Sequence, residues 1–195
     1  MENNIQISNK NYKRLFIGIS LSKKICNYFY ELTLNLSKIN SYIKPVPSQN
    51  IHITLKFLGN VEINDLNNVY SNIEFSLREI KSFQFTINDF FDGFPKLSTS
   101  RILFGTISKG SEEMENIFEV IKENLSKIGF NRDEKKFIPH ITIARMKFPV
   151  NFIGLFDNLK LKKFENIKCN KIILFESILS GRGPQYLIEK EFLLK

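Results

Sequence analysis

The stretch Pro139-His140-Ile141-Thr142-Ile143-Ala144-Arg145 repeats an earlier one, Ile51-His52-Ile53-Thr54-Leu55-Lys56-Phe57. Both copies contain histidine, isoleucine, threonine and an aliphatic residue in that order, and together they use both histidines of the chain. Because a match of this kind at both histidines is improbable by chance, we take the two His-x-Thr motifs as the organising feature of the protein.

Each motif has the alternation of a half-buried β-strand. Successive side chains of a strand point to opposite faces, so His52 and Thr54 share one face while their aliphatic neighbours share the other. His140 and Thr142 repeat the pattern. Two such strands side by side would offer two imidazoles and two hydroxyls to a single small anionic group.

Two cationic residues follow the motifs, and alternation makes a prediction for each. Lys56 is expected on the face of His52, where it could add positive potential or be a solvated surface residue. Arg145 is expected on the face opposite His140 and Thr142, unless the strand ends or bulges there.

The patterns around the motifs predict an α+β fold. Buried or alternating strands are expected at 14–19, 51–59, 83–87, 101–107, 137–145, 171–177 and 185–192. Apolar residues at helical spacing predict a helix capped by Ser20 or Ser22, a second over 64–80, a third from its cap Ser111 to Gly129, and a short one over 152–159. The order strand, helix, motif strand occurs twice, with the histidines 88 residues apart (140 minus 52), which suggests two pseudo-symmetric halves.

Length and charge limit the possible partners. The 195 residues suffice for one large domain or for two small lobes that share a core. A net charge of +8 favours a polyanionic partner such as RNA, although scattered lysines can also reflect a bias in composition.

The ends of the chain and its cysteines indicate a cytoplasmic protein. Residues 1–12 are polar, lack the apolar region of a secretory leader and are expected to form a flexible tail. No apolar run reaches membrane-spanning length, so no membrane association is expected. Cys26 and Cys169 are isolated, which fits a reducing compartment better than a disulfide framework or a zinc site.

Paired imidazoles and hydroxyls point to phosphodiester chemistry. With a reference pKa near 6.5, one histidine can be neutral while its twin is protonated. The neutral ring can take a proton from water while the protonated ring gives one to a departing alkoxide. Threonine hydroxyls can hold the phosphate oxygens as charge moves in the transition state. This scheme needs no metal and no other cofactor.

The two motifs also resemble those of the 2H phosphoesterase superfamily. The sequence around them is similar to its LigT-like branch, the RNA 2′,3′-cyclic phosphodiesterases, also called 2′-5′ RNA ligases. The similar stretches are Arg14-Leu15-Phe16-Ile17, the residues from His52 to Gly59 and from Phe137 to Arg145, and Gly183-Pro184-Gln185-Tyr186. The resemblance implies one bilobal α+β domain over residues 1–195, in which two antiparallel sheets flank a central cleft and the helices lie outside.

The same resemblance implies an activity and a role for each site residue. The reaction would be hydrolysis of a terminal 2′,3′-cyclic phosphate to a 2′-phosphomonoester, on RNA ends or nucleotides, by a monomer. His52 would donate a proton to the departing 3′ oxygen and His140 would accept one from water. Thr54, Thr142 and Arg145 would bind the phosphate. The resemblance also implies a reverse 2′-5′ RNA ligase activity, which joins RNA ends through a 2′-5′ linkage.

Two other functions remain open at this point. One is the same chemistry on a small cyclic nucleotide or on 2′-5′ oligoadenylate, which a panel of substrates would distinguish. The other is a non-catalytic module that only binds RNA ends. The presence of both histidines and both threonines argues against it, because a binding protein needs no proton donor.

Overall fold

The two motifs lie on neighbouring strands of a long antiparallel sheet. In this computed structural model, which describes residues 11–131, 136–157, 159–181 and 183–195, the sheet has nine strands. Three α-helices accompany it within the same residues: α1 (Lys23–Ile39), α2 (Leu66–Leu77) and α3 (Ser111–Ser126). The strands are β1 (Tyr12–Ser20), β2 (Ile43–Pro45), β3 (His52–Glu62), β4 (Phe83–Phe94), β5 (Ser100–Ile107), β6 (His140–Val150), β7 (Phe164–Cys169), β8 (Lys171–Ser180) and β9 (Gly183–Leu193).

The strand order is symmetric about its centre. It runs β7-β4-β5-β6-β3-β1-β8-β9, with β2 added to β6. Each half contains a strand, a helix and a motif strand in succession, β1-α1-β3 and β5-α3-β6, so the predicted duplication is confirmed. The halves meet where Ile53 of β3 pairs with Ile141 of β6. The α+β class and the bilobal arrangement are therefore confirmed, and this one pair joins the two expected antiparallel sheets into a single nine-stranded sheet.

The helices cover the apolar faces of the motif strands. Helix α1 lies against β2 and β6, whereas α3 lies against β3 and α2, so each crossover helix contacts the motif strand of the other half. The residues at the centre of this packing are almost completely buried: Phe29, Ile53, Met114, Ile117, Ile141 and Ile143. Because apolar burial is the main stabilising term of folding, the apolar faces of both motif strands pack against the helices. Their polar faces therefore lie on the side of the sheet away from these helices.

Several predicted elements are corrected. Residues 153–157 form turns instead of the short helix predicted over 152–159, with Gly154 at φ +77°. Ser111 is the first residue of α3 and not its cap, a place taken by Gly110 at φ +85°. A side chain at Gly110 would also meet Phe85, since its Cβ would lie 2.5 Å from the Cβ of that residue. Strands β2 and β7 were not predicted.

Some sequence predictions fall outside the described residues. These are the greater part of the tail expected at 1–12 and position 158 of the short helix expected over 152–159. Within the described part of the chain, no helix is both long enough and apolar enough to cross a membrane.

Candidate active site

The register of β3 and β6 brings the two motifs together. Pairing of Ile53 with Ile141 in an antiparallel ladder places His52 opposite Thr142 and Thr54 opposite His140. Side chains directly opposite each other on one face have Cβ atoms about 4.5–5.5 Å apart. All four side chains line one cleft of about 190 Å³. The structure thus brings the predicted quartet to a single site.

A β-bulge interrupts each motif at the same place. In β6, Ala144 pairs with Leu103 and Thr142 with Phe104, so Ile143 is an extra residue in the ladder. In β3, Lys56 pairs with Ile17 and Thr54 with Gly18, and the register likewise shifts by one residue between them. A bulge of one residue moves every following side chain to the other face. Counted from each histidine, the fifth residues, Lys56 and Ala144, therefore turn into the core. The sixth residues, Phe57 and Arg145, turn towards the cleft.

These bulges decide where the residues after each motif point. Arg145 lines the cleft together with the two histidines and the two threonines. The alternation of a strand permits this orientation only where the strand bulges. Lys56 does not share the face of His52, so that prediction is wrong. The lysine is 3% exposed, and its Nζ donates a hydrogen bond to the carbonyl of Asn131 at 2.9 Å.

Phe57 occupies the position in β3 that Arg145 occupies in β6, and the sequence reasoning missed it. Its side chain is 69% exposed and lines the cleft. The site is therefore symmetric in its histidines and threonines but has a guanidinium on one side and an aromatic ring on the other. The sixth position of each motif is visible in the sequence, but its direction depends on the bulge.

Both histidines are held in the same tautomer. Nδ1 of His52 lies 2.7 Å from the carbonyl of Asn50, and Nδ1 of His140 lies 2.8 Å from that of Ile138. Because a carbonyl oxygen can only accept, each Nδ1 carries a proton and donates it, which leaves Nε2 as the unprotonated nitrogen of the neutral ring. The hydroxyl of Thr54 lies 2.8 Å from Nε2 of His52 and donates to it when the ring is neutral. Each ring therefore presents one titratable nitrogen.

His52 lies among aromatic rings. Its ring centroid is 4.8 Å from that of Phe16, 5.2 Å from that of Tyr186 and 5.9 Å from that of Phe175. Burial lowers the pKa of His52 from its ordinary value of 6.5 to about 4, against the raising effect of the Asn50 carbonyl. The positive charge of Arg145 contributes to the same lowering of the pKa. In the free protein, His52 is therefore neutral at neutral pH.

Asn50 is a second residue that sequence reasoning missed. It is 6% exposed, and its Nδ2 donates to the carbonyl of Pro184 at 2.7 Å, while its own carbonyl accepts from His52. Asn50 therefore ties the orientation of His52 to the start of β9. No local pattern reveals this role, because Pro184 is 134 residues away in the chain.

The cleft is electropositive. Lys44 of β2 pairs with Arg145 of β6, and both line it. No Asp or Glu is among the described residues that line the cleft. Nor do three His, Cys, Asp or Glu side chains come together as a metal site anywhere in the described part of the chain. Two cations, two hydroxyls and two imidazoles without a carboxylate suit a phosphate group.

Comparisons with known proteins agree with this geometry. The 2′-5′ RNA ligase superfamily matches residues 31–167. An RNA 2′,3′-cyclic phosphodiesterase of Methanocaldococcus jannaschii is 33% identical over 182 residues, covering 92% of this chain and 99% of its own. One from Thermotoga maritima is 28% identical over 176 residues, covering 90% of this chain and 92% of its own.

Solved structures share the fold. A protein of Thermus thermophilus superposes with a TM-score of 0.74 at 23% identity, covering 93% of this chain and 97% of its own. Escherichia coli LigT in complex with 3′-AMP superposes with a TM-score of 0.68 at 18% identity, covering 94% and 99%. The family model and the curated relatives confirm the expected relation to the 2H phosphoesterases, and the chain belongs to the 2′-5′ RNA ligase superfamily.

Proposed function

We propose that this protein is an RNA 2′,3′-cyclic phosphodiesterase that converts a terminal 2′,3′-cyclic phosphate to a 2′-phosphomonoester. The observation that carries the proposal is the pair of imidazoles at one cleft, each with Nδ1 bound to a backbone carbonyl and Nε2 left as its reactive nitrogen. The names of the curated relatives, which match over most of their length, support the same reaction.

In the proposed mechanism, the phosphorus lies between the two rings. Nε2 of His140 takes a proton from water, and the water oxygen forms a bond to phosphorus. The bond from phosphorus to the 3′ oxygen breaks, and Nε2 of His52 gives its proton to that oxygen. The hydroxyls of Thr54 and Thr142 and the guanidinium of Arg145 hold the non-bridging oxygens. No step requires a metal ion.

The low pKa of His52 is compatible with its role as the acid once substrate is bound. In the empty cleft, burial and Arg145 both favour the neutral ring. A phosphodiester anion beside Nε2 offsets the charge of Arg145 and favours the protonated ring. Substrate binding would therefore supply the charge that makes His52 a proton donor. With the 5′ hydroxyl of a second RNA in place of water, Nε2 of His140 takes the proton of that hydroxyl, its oxygen bonds to phosphorus, and the 3′ oxygen leaves with the proton of His52, which would join the RNA ends through a 2′-5′ linkage.

The proposal also covers the oligomeric state and the cellular location of the enzyme. Both histidines come from one chain, which supports catalysis by a monomer of residues 1–195 acting as a single bilobal domain. Cys26 and Cys169 are free and buried, which supports a reducing, cytoplasmic location.

The test is incubation with an RNA oligonucleotide that ends in a 2′,3′-cyclic phosphate, followed by phosphorus NMR. We expect a 2′-phosphomonoester, formed at an unchanged rate in EDTA. His52→Asn and His140→Asn, which keep a donor near the position of Nδ1 but lack Nε2, should each lower kcat at least about a hundredfold. A 3′-phosphate product, or near-normal turnover by either variant, would contradict the proposal.

A further inference from the structure

Basic and aromatic side chains continue outward from the cleft along β2 and β6. We call this surface the β2–β6 strip; it consists of Tyr42, Lys44, Arg145, Lys147 and Phe148. Lys44 and Arg145 form its inner end, since both line the cleft. Lys147, Phe148 and Tyr42 form its outer end.

The register of β2 and β6 places these residues together. Ile43 pairs with Met146 and both are buried, so Lys44 and Arg145, which pair with each other, lie on the exposed face. Beyond Arg145 the ladder of β6 with β5 shifts register, so alternation does not place Lys147 and Phe148. They join the strip through Tyr42, which lies two residues before Lys44 and whose ring meets that of Phe148. The strip is therefore continuous with the site of the two histidines.

The outer end is an exposed aromatic pair with a lysine. The rings of Tyr42 and Phe148 meet edge to face with centroids 5.3 Å apart, and their side chains are 51% and 49% exposed. Nζ of Lys147 lies 5.6 Å from the centroid of the Phe148 ring. Large exposed rings next to a cation are costly to hydrate and suit a planar, partly anionic ligand.

No described carboxylate neutralises the cations of the strip. Among the described residues, Lys44, Arg145 and Lys147 form no ion pair, in contrast to Lys13, Lys171 and Lys195 on other surfaces. Their charge is therefore available to an external anion. From His140 to Phe148, the cleft and the strip together span roughly 26 Å at about 3.3 Å per residue, which exceeds a single nucleotide.

We propose that the β2–β6 strip binds the single-stranded RNA that precedes the terminal phosphate. The preceding RNA phosphates contact Lys44 and Lys147, while Arg145 holds the terminal phosphate, and one or two bases stack on Tyr42 and Phe148. A basic track with interleaved aromatic rings is the usual way in which proteins hold single-stranded nucleic acid without reading its sequence. The inference rests on the proposed function and extends it: the preferred substrate is an RNA chain, not a mononucleotide.

A second hollow beside the cleft is less suited to RNA. It has about 410 Å³ and is lined mainly by apolar side chains, among them Phe94, Phe104 and Phe137. Of its two lysines, Lys56 is buried against Asn131, which leaves Lys136 to face a phosphate backbone. Charge complementarity therefore favours the β2–β6 strip.

The test compares two substrates in matched variants. The substrates are a nucleoside 2′,3′-cyclic monophosphate and an RNA of about ten nucleotides ending in the same group. Lys147→Ala and Phe148→Ala, singly and together, alter the outer end without touching the cleft. Lys162→Ala and Phe75→Ala are the controls, because Lys162 also lies over a ring, at 5.3 Å, and Phe75 is equally exposed, at 53%.

We expect the double strip variant to lower kcat/KM for the oligonucleotide at least about tenfold and to leave the mononucleotide within about twofold, because base stacking and phosphate contacts are lost only for the chain. The slope of log Kd for RNA against log salt should become shallower by about 0.7 per lysine removed. Equal effects on both substrates, or effects no larger than those of the controls, would overturn the proposal.

Fluorescence anisotropy with end-labelled RNA separates this inference from the proposed function. If the wild-type protein hydrolyses neither substrate but only the strip variants lose RNA binding, the proposed function fails and the strip stands. If the wild-type protein hydrolyses both substrates and the strip variants bind RNA like the controls, the strip fails and the function stands.

Discussion

Acidification should destabilise this protein through His52, and replacing His52 should remove that loss. Burial lowers the pKa of the folded ring to about 4. In the unfolded chain the pKa is near 6.5. As the pH falls below about 6.5, the unfolded state takes up a proton that the folded state still excludes, so the contribution of His52 to stability is complete above about pH 6.5 and is lost towards pH 4.

The size of this loss follows from the two pKa values. One pKa unit corresponds to about 1.4 kcal/mol, so a shift from 6.5 to about 4 corresponds to roughly 3 kcal/mol in total. Between about pH 7.5 and about pH 4.5 the wild-type protein should lose roughly 2.5 kcal/mol through this residue, since the folded ring is only partly protonated at the lower pH.

Urea unfolding of the wild-type protein and of His52→Asn at the two pH values measures this difference. Carboxylates such as Glu189 also respond to acid, but they do so in both proteins and cancel in the comparison. Proton NMR gives an independent reading, because the chain has only two histidines and the signal missing from the variant belongs to His52. Equal losses of stability in the two proteins, or a midpoint near 6.5 for that signal, would refute the burial argument.

Three further predictions concern the site and its support. A phosphodiester with a nitrophenolate leaving group needs no proton donor, so on this substrate kcat should fall less than about tenfold in His52→Asn and at least about a hundredfold in His140→Asn. The opposite pattern in steady-state assays would mean that the two histidines have exchanged roles. Asn50→Ala should lower kcat more than it raises KM and reduce the free energy of unfolding by about 1–2 kcal/mol, because a buried hydrogen bond is lost; unchanged kcat would show that the ring needs no such anchor. Gly18→Ala should lower the unfolding free energy by about 1–3 kcal/mol relative to Gly105→Ala. The added Cβ would lie 2.6 Å from a backbone oxygen at Gly18 but no closer than 3.5 Å to any atom at Gly105. Equal Tm values for the two variants would contradict this prediction.

Elements with strong local patterns could be predicted, and weak or short ones could not. Helix α1 is confirmed because Ile25, Phe29 and Leu36 recur at the spacing of one helical face, and these residues are buried. The stretch from Phe152 also carries apolar residues, but Gly154 adopts a left-handed conformation and the chain turns. Strand β2 spans only Ile43–Pro45, too few residues for an alternation to be seen.

The residues of the site could be predicted from the sequence, but their meeting at one cleft could not. His52, Thr54, His140 and Thr142 could be chosen from the sequence because a repeat is visible without any knowledge of pairing, and alternation alone puts each His with its Thr. Their meeting at one cleft required a pairing between strands that are far apart in the chain.

The sequence by itself determined the α+β class, the duplication and the four polar residues, because periodicity and repetition are local properties of the chain. Only the tertiary structure decided that Arg145 and Phe57 face the cleft while Lys56 is buried, and that Asn50 anchors His52. A bulge arises from the register against a neighbouring strand, and the contact of Asn50 joins positions 134 residues apart. Neither is encoded in the residues next to them, because both depend on which distant segments pack together.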